Sequence, residues 1–241
     1  MNTKPQVTCI IPFYNEGARL YQVLQEVIKT RNITQIICVD DASVEDQSAE
    51  IKQRFPTIQL LRLPQNLGKS GAVHQGLKRA TGDFILLLDA DLQNLQYQEI
   101  EEAIQALQNH SDIDMLLLRR VNAYFFVKWN RADTLFTGER ILRKSDLERV
   151  FEEEIRGWQL EAAINNYMYE EDKKVYWMPQ SATNTHKTVK WSLWYGIRNE
   201  LRTFADMMFA MGFGKFLKQF FFFAKEELKL EAQPKTIHSN K

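Results

Sequence analysis

This chain predicts an α/β fold built on a mostly parallel sheet, and two observations carry that expectation. Apolar, strand-like runs alternate with amphipathic helix patterns through the first half. Three of those runs end in acids or amides, and open α/β sheets gather their ligands beyond the carboxyl ends of the strands. The 241 residues suffice for one large domain, or for one domain with a smaller appendage. Hydrophobic residues make up 44% and charged residues 26%, an ordinary balance for a chain that buries a full core. Lys plus Arg and Asp plus Glu number 31 each, so no basic excess points to nucleic acid as a partner. Cys9 and Cys38 both lie inside apolar runs and read as small core residues of a reducing, cytoplasmic protein. "MNTKPQ" leads straight into a strand-like run, so no signal peptide is expected. No uncharged apolar run reaches the roughly 18 residues of a spanning helix.

The elements follow in order. "QVTCIIPF" is a continuous apolar run suited to a central strand, and it ends at Asn15-Glu16. Leu20, Val23, Leu24, Val27 and Ile28 then repeat at helical spacing. "TQIICVDD" is a second strand ending in Asp40 and Asp41. The "SVED" from Ser43 has the form of a capping box for a helix running to about Arg54. Phe55-Pro56 stops that helix, and "IQLLRL" forms a short third strand. Ala72, Val73, Gly76, Leu77 and Ala80 share one face of the next helix, with Gly82 as its stop. A fourth strand, Phe84 to Leu88, runs into Asp89 and Asp91; Ile100, Ala103, Ile104 and Leu107 mark a helix, and "IDMLLL" a fifth strand.

The pair Asp89 and Asp91 raises a physical question. Residues two apart on an extended chain point the same way, and like charges so placed raise each other's pKa unless a cation lies between them. A polar turn and a site for a hard divalent ion are the two readings. About one such D-x-D match is expected by chance in a chain of this length; "SDIDM" supplies another at Asp112 and Asp114. That second pair lies at the start of a strand, not beyond its carboxyl end, and this placement favours a purely structural use. Neither a G-x-G-x-x-G after the first strand nor a Walker loop is present.

Taken together, "CIIPFYNE", "VDDAS", "NLGKSGAVHQGLKRATGDFILLLDADLQ" and "FTGERILRKSDL" resemble the family 2 glycosyltransferases, which have the GT-A fold. The resemblance runs over about residues 6 to 190. Within the family it leans towards the polyprenyl-phosphate sugar synthases of the dolichol-phosphate mannose synthase type, whose D-x-x-S-G-F-R block "DTLFTGERILRK" resembles. It implies an inverting transfer from a nucleotide-diphosphate sugar, with Mg2+ or Mn2+ held by Asp91 and Asp89 to neutralise the leaving diphosphate. It also implies Pro12, Tyr14, Glu16, Asp40 and Asp41 as the donor pocket, with Lys69 near the phosphates or else a solvated surface lysine.

On the acceptor side the resemblance implies Glu161 as catalytic acid or base, with Asp133 the other candidate carboxylate. Arg140 belongs to the same catalytic block. A hydroxyl acceptor needs a base to take its proton, whereas a phosphate acceptor would be held by Arg119, Arg120, Arg140 and Lys144. The acceptor stays open between a polyprenyl phosphate and a saccharide. The link "VNAYFFVKWNRA" is shorter than in the lipid-acceptor enzymes; its Tyr124, Phe125, Phe126 and Trp129 suit core packing or a ligand platform. "THKTVKW" resembles the block that closes the family's site, with His186 and Lys187 near the diphosphate.

The expected organisation is a glycosyltransferase domain over 1–190, an aromatic-rich helical segment over 191–230 and a disordered tail over 231–241. The aromatic segment suits a peripheral contact at the inner face of a membrane, packing on the catalytic domain, or a homodimer contact. The alternative functions are a sugar nucleotidyltransferase and a nucleotide-sugar-binding protein without transferase activity.

Overall fold

The computed structural model describes residues 4–121, 132–135, 137–152, 159–184, 214 and 223–229. Strand β1 (Val7–Phe13) is buried along its whole length and lies between β2 (Ile33–Asp40) and β4 (Phe84–Leu87), parallel to both. A strand covered on both faces must be apolar on both, and β1 is: Val7, Cys9, Ile11 and Phe13 face one core cluster while Ile10 faces the other. Strand β3 (Gln59–Arg62) extends the sheet beyond β2.

Between these strands run α1 (Ala18–Val27), α2 (Ser48–Arg54) and α3 (Gly68–Leu77). The short β5 (Leu92–Gln93) and α4 (Tyr97–Asn109) follow β4, and β6 (Met115–Arg120) comes next. Then come α5 (Ala132–Leu135), β7 (Arg140–Arg143), α6 (Lys144–Val150), α7 (Gln159–Glu170), β8 (Val175–Gln180), β9 (Thr183–Asn184) and β10 (Glu226–Glu227). Among the described residues the main sheet has the order β10-β8-β6-β7-β4-β1-β2-β3, with β5 and β9 paired separately. Helices α1 and α4 bury their apolar stripes against one face of the sheet; α3, α6 and α7 do so against the other.

Among the described strands of the main sheet, β7 breaks the parallel pattern. β7 runs antiparallel between β4 and β6, so its first residue, Arg140, lies at the edge where the parallel strands end. The residues that precede β7 are thereby delivered to the carboxyl edge of the sheet.

Several boundaries differ from those expected. The second helix begins at Ser48, not Ser43; the Ser43 N–H donates to Asp40 Oδ1 at 2.8 Å, which holds that residue in the loop. Ile28 is the C-cap of α1 and 44% exposed, one residue past the buried stripe. The third helix stops at Leu77, so Gly82 is not its stop. Gly82 instead marks a close approach, since a Cβ there would lie 2.7 Å from the backbone N of Thr8. Glu226 and Glu227, expected to be helical, form a strand parallel to β8. The free edge of β8 offers them backbone partners, and Leu228 N–H donates to Trp177 O at 2.9 Å.

Candidate active site

The carboxyl edge collects the loops that the sequence singled out. After β1 the chain turns through Asn15, at φ 55, a conformation that asparagine tolerates better than most residues. Its N–H donates to Ser43 Oγ at 2.9 Å, and its Oδ1 accepts from Val44 N–H at 2.8 Å. These bonds tie the loop after β1 to the loop after β2. Pro12 is buried, Tyr14 is exposed and Glu16 pairs with Arg19 at 2.8 Å.

Asp40 and Asp41 are committed to shaping this wall. Asp40 Oδ2 accepts from Arg62 Nη1 at 2.5 Å, and Arg62 also donates to Ser43 O at 2.9 Å. Asp41 Oδ1 accepts from Leu67 N–H at 2.7 Å. Burial pushes the Asp41 carboxyl above its ordinary range, against the pull of the Leu67 and Gly68 amides. That bond fixes the turn into α3, whose second residue is Lys69.

Lys69 is the centre of the constellation. Its Nζ donates to Asp89 Oδ1 at 2.5 Å and to Glu161 Oε1 at 2.7 Å. Three segments meet there: the start of α3, the turn after β4 and the first turn of α7. Lys69 and Asp89 side chains are 22% and 20% exposed, and Glu161 only 6%. Burial works against the ammonium charge, yet the two carboxylates outweigh it and raise the lysine's pKa. Asp89 is likewise opposed by burial but held below its ordinary range by Lys69, with Arg120 and Arg140 adding to the pull. Gly138 sits over this pair, since a Cβ there would lie 2.6 Å from Asp89 Oδ2 and 2.7 Å from Lys69 Nζ.

Asp91 lies two residues on. Burial, and then the charge of Asp89, lift its carboxyl above the ordinary range. The oxygen donors suit a hard divalent ion, which would relieve that repulsion. Among the described residues no group of three His, Cys, Asp or Glu side chains encloses a metal position. Mg2+ commonly takes one or two carboxylates and completes its shell with substrate phosphates and water.

Behind Asp89 lies a second layer, in which Arg140 and Arg120 were expected but Glu139, Gln180 and Asn165 were not. Arg140 is fully buried, and its guanidinium donates to Asn165 Oδ1 at 3.0 Å and to the Thr137 carbonyl. Glu139, also fully buried, accepts from Thr137 Oγ1 at 2.5 Å and from Gln180 Nε2 at 3.4 Å, and Arg120 Nε lies 3.7 Å away. Burial, and then Asp89, raise the Glu139 carboxyl despite Arg120 and Thr137. The acid beside Arg140 in "TGER" was the available signal; Gln180 gave none, because the strand that it ends was not anticipated.

Other expected residues fall elsewhere. Lys144 does not join the site. Its N–H donates to Asp83 O at 2.8 Å, before β4 begins, and it pairs with Glu148 at 3.6 Å. Antiparallel β7 carries the chain from Arg140 at one edge to Lys144 at the other. Arg119 lies over the Trp177 ring at 4.7 Å. Asp114 accepts from Arg143 at 2.9 Å and Asp112 from Lys174 at 3.0 Å, the structural use expected of them. Tyr124, Phe125, Phe126, Trp129, His186, Lys187 and residues 191–213 lie outside the described residues, as does the side chain of Asp133.

Comparison with known proteins adds the following. The sequence pattern described as Glycosyl transferase family 2 matches residues 8–222. The chain is 39% identical over 103 residues to a dolichyl-phosphate beta-glucosyltransferase of Trichomonas vaginalis, covering 36% of this chain and 31% of that one. It is 33% identical over 114 residues to a dolichol-phosphate mannosyltransferase of Pyrococcus furiosus, covering 45% and 32%. The matched region thus spans about a third of either relative. Among solved structures, glucosyl-3-phosphoglycerate synthase from Mycobacterium tuberculosis, in complex with Mn2+ and UDP-glucose, superimposes with a TM-score of 0.66. That likeness covers 88% of this chain and 79% of the other at 14% identity, and it shows the expected GT-A architecture of a mixed sheet with flanking helices.

Proposed function

The chain belongs to glycosyl transferase family 2, and from that premise we propose that it transfers a sugar, with inversion, from a nucleoside-diphosphate donor to an acceptor oxygen. The observation that carries this reading is the Lys69 bridge between Asp89 and Glu161 at the carboxyl edge of the sheet, beside Asp91. Relatives named as sugar transferases, and a structural neighbour in complex with Mn2+ and UDP-glucose, support it.

Asp91 and Asp89 would hold Mg2+ or Mn2+. When bound, the ion neutralises the charge that gathers on the departing diphosphate. Lys69 holds Asp89 in place and adds a positive charge beside the phosphates. Tyr14, exposed at the end of β1, lies where the nucleoside enters, with Pro12, Glu16 and the Asp40–Asp41 loop forming the wall. Glu161 approaches from α7, placed to take a proton from the acceptor. Arg140, enclosed by Asn165 and Thr137, supports the turn that carries Gly138 over Asp89.

Asp91→Ala tests the reading. Metal-dependent release of nucleoside diphosphate should fall by about a hundredfold or more, the scale of losing a group that stabilises developing charge. The Tm should hold, because the native carboxyl is already opposed by burial and by Asp89. Retained turnover, measured with an EDTA control, would sink the assignment. Anomeric analysis of the product tests inversion.

A further inference from the structure

Among the described residues, five buried side-chain atoms around Glu139 have no hydrogen-bond partner. Three are acceptors: Glu139 Oε1, Glu161 Oε2 and Gln180 Oε1. Two are donors, Arg120 Nε and Arg140 Nε. Buried polar atoms are ordinarily paired, and leaving one unpaired costs its full desolvation, so a concentration of them calls for an explanation. Ionised carboxylates only accept hydrogen bonds, and only a donor satisfies them. A phosphate offers acceptor oxygens alone. A hydroxyl group both donates and accepts, and so can satisfy either kind.

The charges point the same way. Among the described residues of this cluster, Lys69, Arg120 and Arg140 face Asp89, Glu139 and Glu161, three positive against three negative. Lys69 is shared between two carboxylates, and Arg140 already donates to Asn165 and Thr137. An incoming phosphate would add negative charge to a buried cluster that already has Asp91 beside Asp89; a neutral acceptor adds none. The acid that sets this balance is Glu139, fully buried and facing Arg140. The dolichyl-phosphate relatives match over less than half of this chain.

Resting on the transferase reading above, we infer that the acceptor is a neutral polyhydroxyl compound, a sugar or saccharide and not a phosphate. Glu139 and Gln180 bind its non-reacting hydroxyls, and Glu161 serves the reacting one. In the transfer step the acceptor O–H proton passes to Glu161, and the oxygen pair forms the bond to the anomeric carbon. The bond from that carbon to the diphosphate oxygen breaks, and its electron pair leaves with the nucleoside diphosphate. An acceptor that reacts through a phosphate oxygen would arrive already anionic and leave Glu161 no proton to take.

The test uses the full chain with Mn2+ and a panel of UDP-, GDP- and dTDP-sugars. Released nucleoside diphosphate is measured alone, with neutral mono- and disaccharides, and with polyprenyl phosphate or 3-phosphoglycerate. Calorimetry of Mn2+-dependent nucleoside-diphosphate binding is the control for the transferase reading, and failure there overturns that reading together with this one. With binding intact, a neutral saccharide should stimulate release while neither phosphate compound does. Stimulation by a phosphate compound, or by no saccharide in the panel, overturns the acceptor assignment alone. Glu139→Gln should then raise the acceptor KM about tenfold, the scale of losing one hydrogen bond to a charged group, with a smaller change in kcat and no fall in Tm. An unchanged KM would make Glu139 purely structural and remove it from the acceptor site.

Discussion

Glu139 and Lys69 show how one cluster can hold charges in opposite conditions. Lys69 gains two carboxylates and keeps its proton more firmly than a free lysine. Glu139 is enclosed, feels Asp89 nearby, and has its pKa raised above the ordinary 4.5. The sign of its linkage follows from that direction. The folded state binds this proton more tightly than the unfolded chain does, so the group imposes no penalty below the ordinary value. As pH rises from there through the raised value the penalty grows, and above that value it is constant. Glu139→Gln removes it. The variant's Tm should therefore equal or exceed that of the wild type at about pH 7.5 and lose the advantage as the pH is lowered towards about 4. Paired thermal melts across that range check this; a variant less stable at neutral pH would show that Arg120 does more for Glu139 than burial takes away. The sequence made Asp89 and Asp91 visible as acids beyond a strand and Lys69 as a lysine before a helix, whereas Glu161 came only from the family resemblance. It hid Glu139, because an acid beside an arginine looks like a solvated pair until the fold encloses both.

At the scale of elements, the site depends on β7. Its register sets Arg140 opposite Leu87 and Arg143 opposite Phe84, and the turn before it therefore passes over Asp89. Neither β7 nor β8 was legible. Four residues, Arg140–Arg143, are too few for a period of two to show, and Ile141 and Leu142 bury opposite faces of the strand in adjacent positions. In "VYWMPQ" a proline is a poor signal for a strand interior; Pro179 lies near the strand's end, paired with Arg119. The earlier parallel strands were readable because full burial makes each an unbroken apolar run. Gly138 tests the element's role. A methyl group there would meet Asp89 and Lys69 within 2.7 Å, and both contacts are to side-chain ends that can move. Gly138→Ala should therefore lower kcat by about tenfold or more through misplacement of the pair, as displacements near 1 Å do, with a Tm within a few degrees of wild type. Steady-state kinetics alongside thermal melts separate the two effects, and unchanged kcat would show that the pair need not stay where it is.

Across the whole molecule, the antiparallel β7 restores the direction of the sheet for β6 and β8, so both halves end on one edge and a single site can draw on both. The Lys69 bridge joins them, linking the β1–β4 half to α7, and the core joins them again beneath. The closing segment belongs to that core: Phe223 is 3% exposed and packs in the cluster that includes Met115, Leu117, Leu160 and Ile164. Leu228 packs against the cluster on the opposite face. Residues so placed are part of the cooperative unit, whereas residues of an independent appendage would melt apart from it. Phe223→Ala should accordingly cost about 3–5 kcal/mol, the range for emptying a buried aromatic site. The loss should appear as a downward shift of one main unfolding transition, followed together by calorimetry and by tryptophan fluorescence, to which Trp177 contributes with its indole N–H donated to Lys225 O at 3.3 Å. A main transition left at its wild-type midpoint, with a separate early loss of fluorescence, would instead mean that β10 and its flanks fold as an accessory to a sheet complete without them.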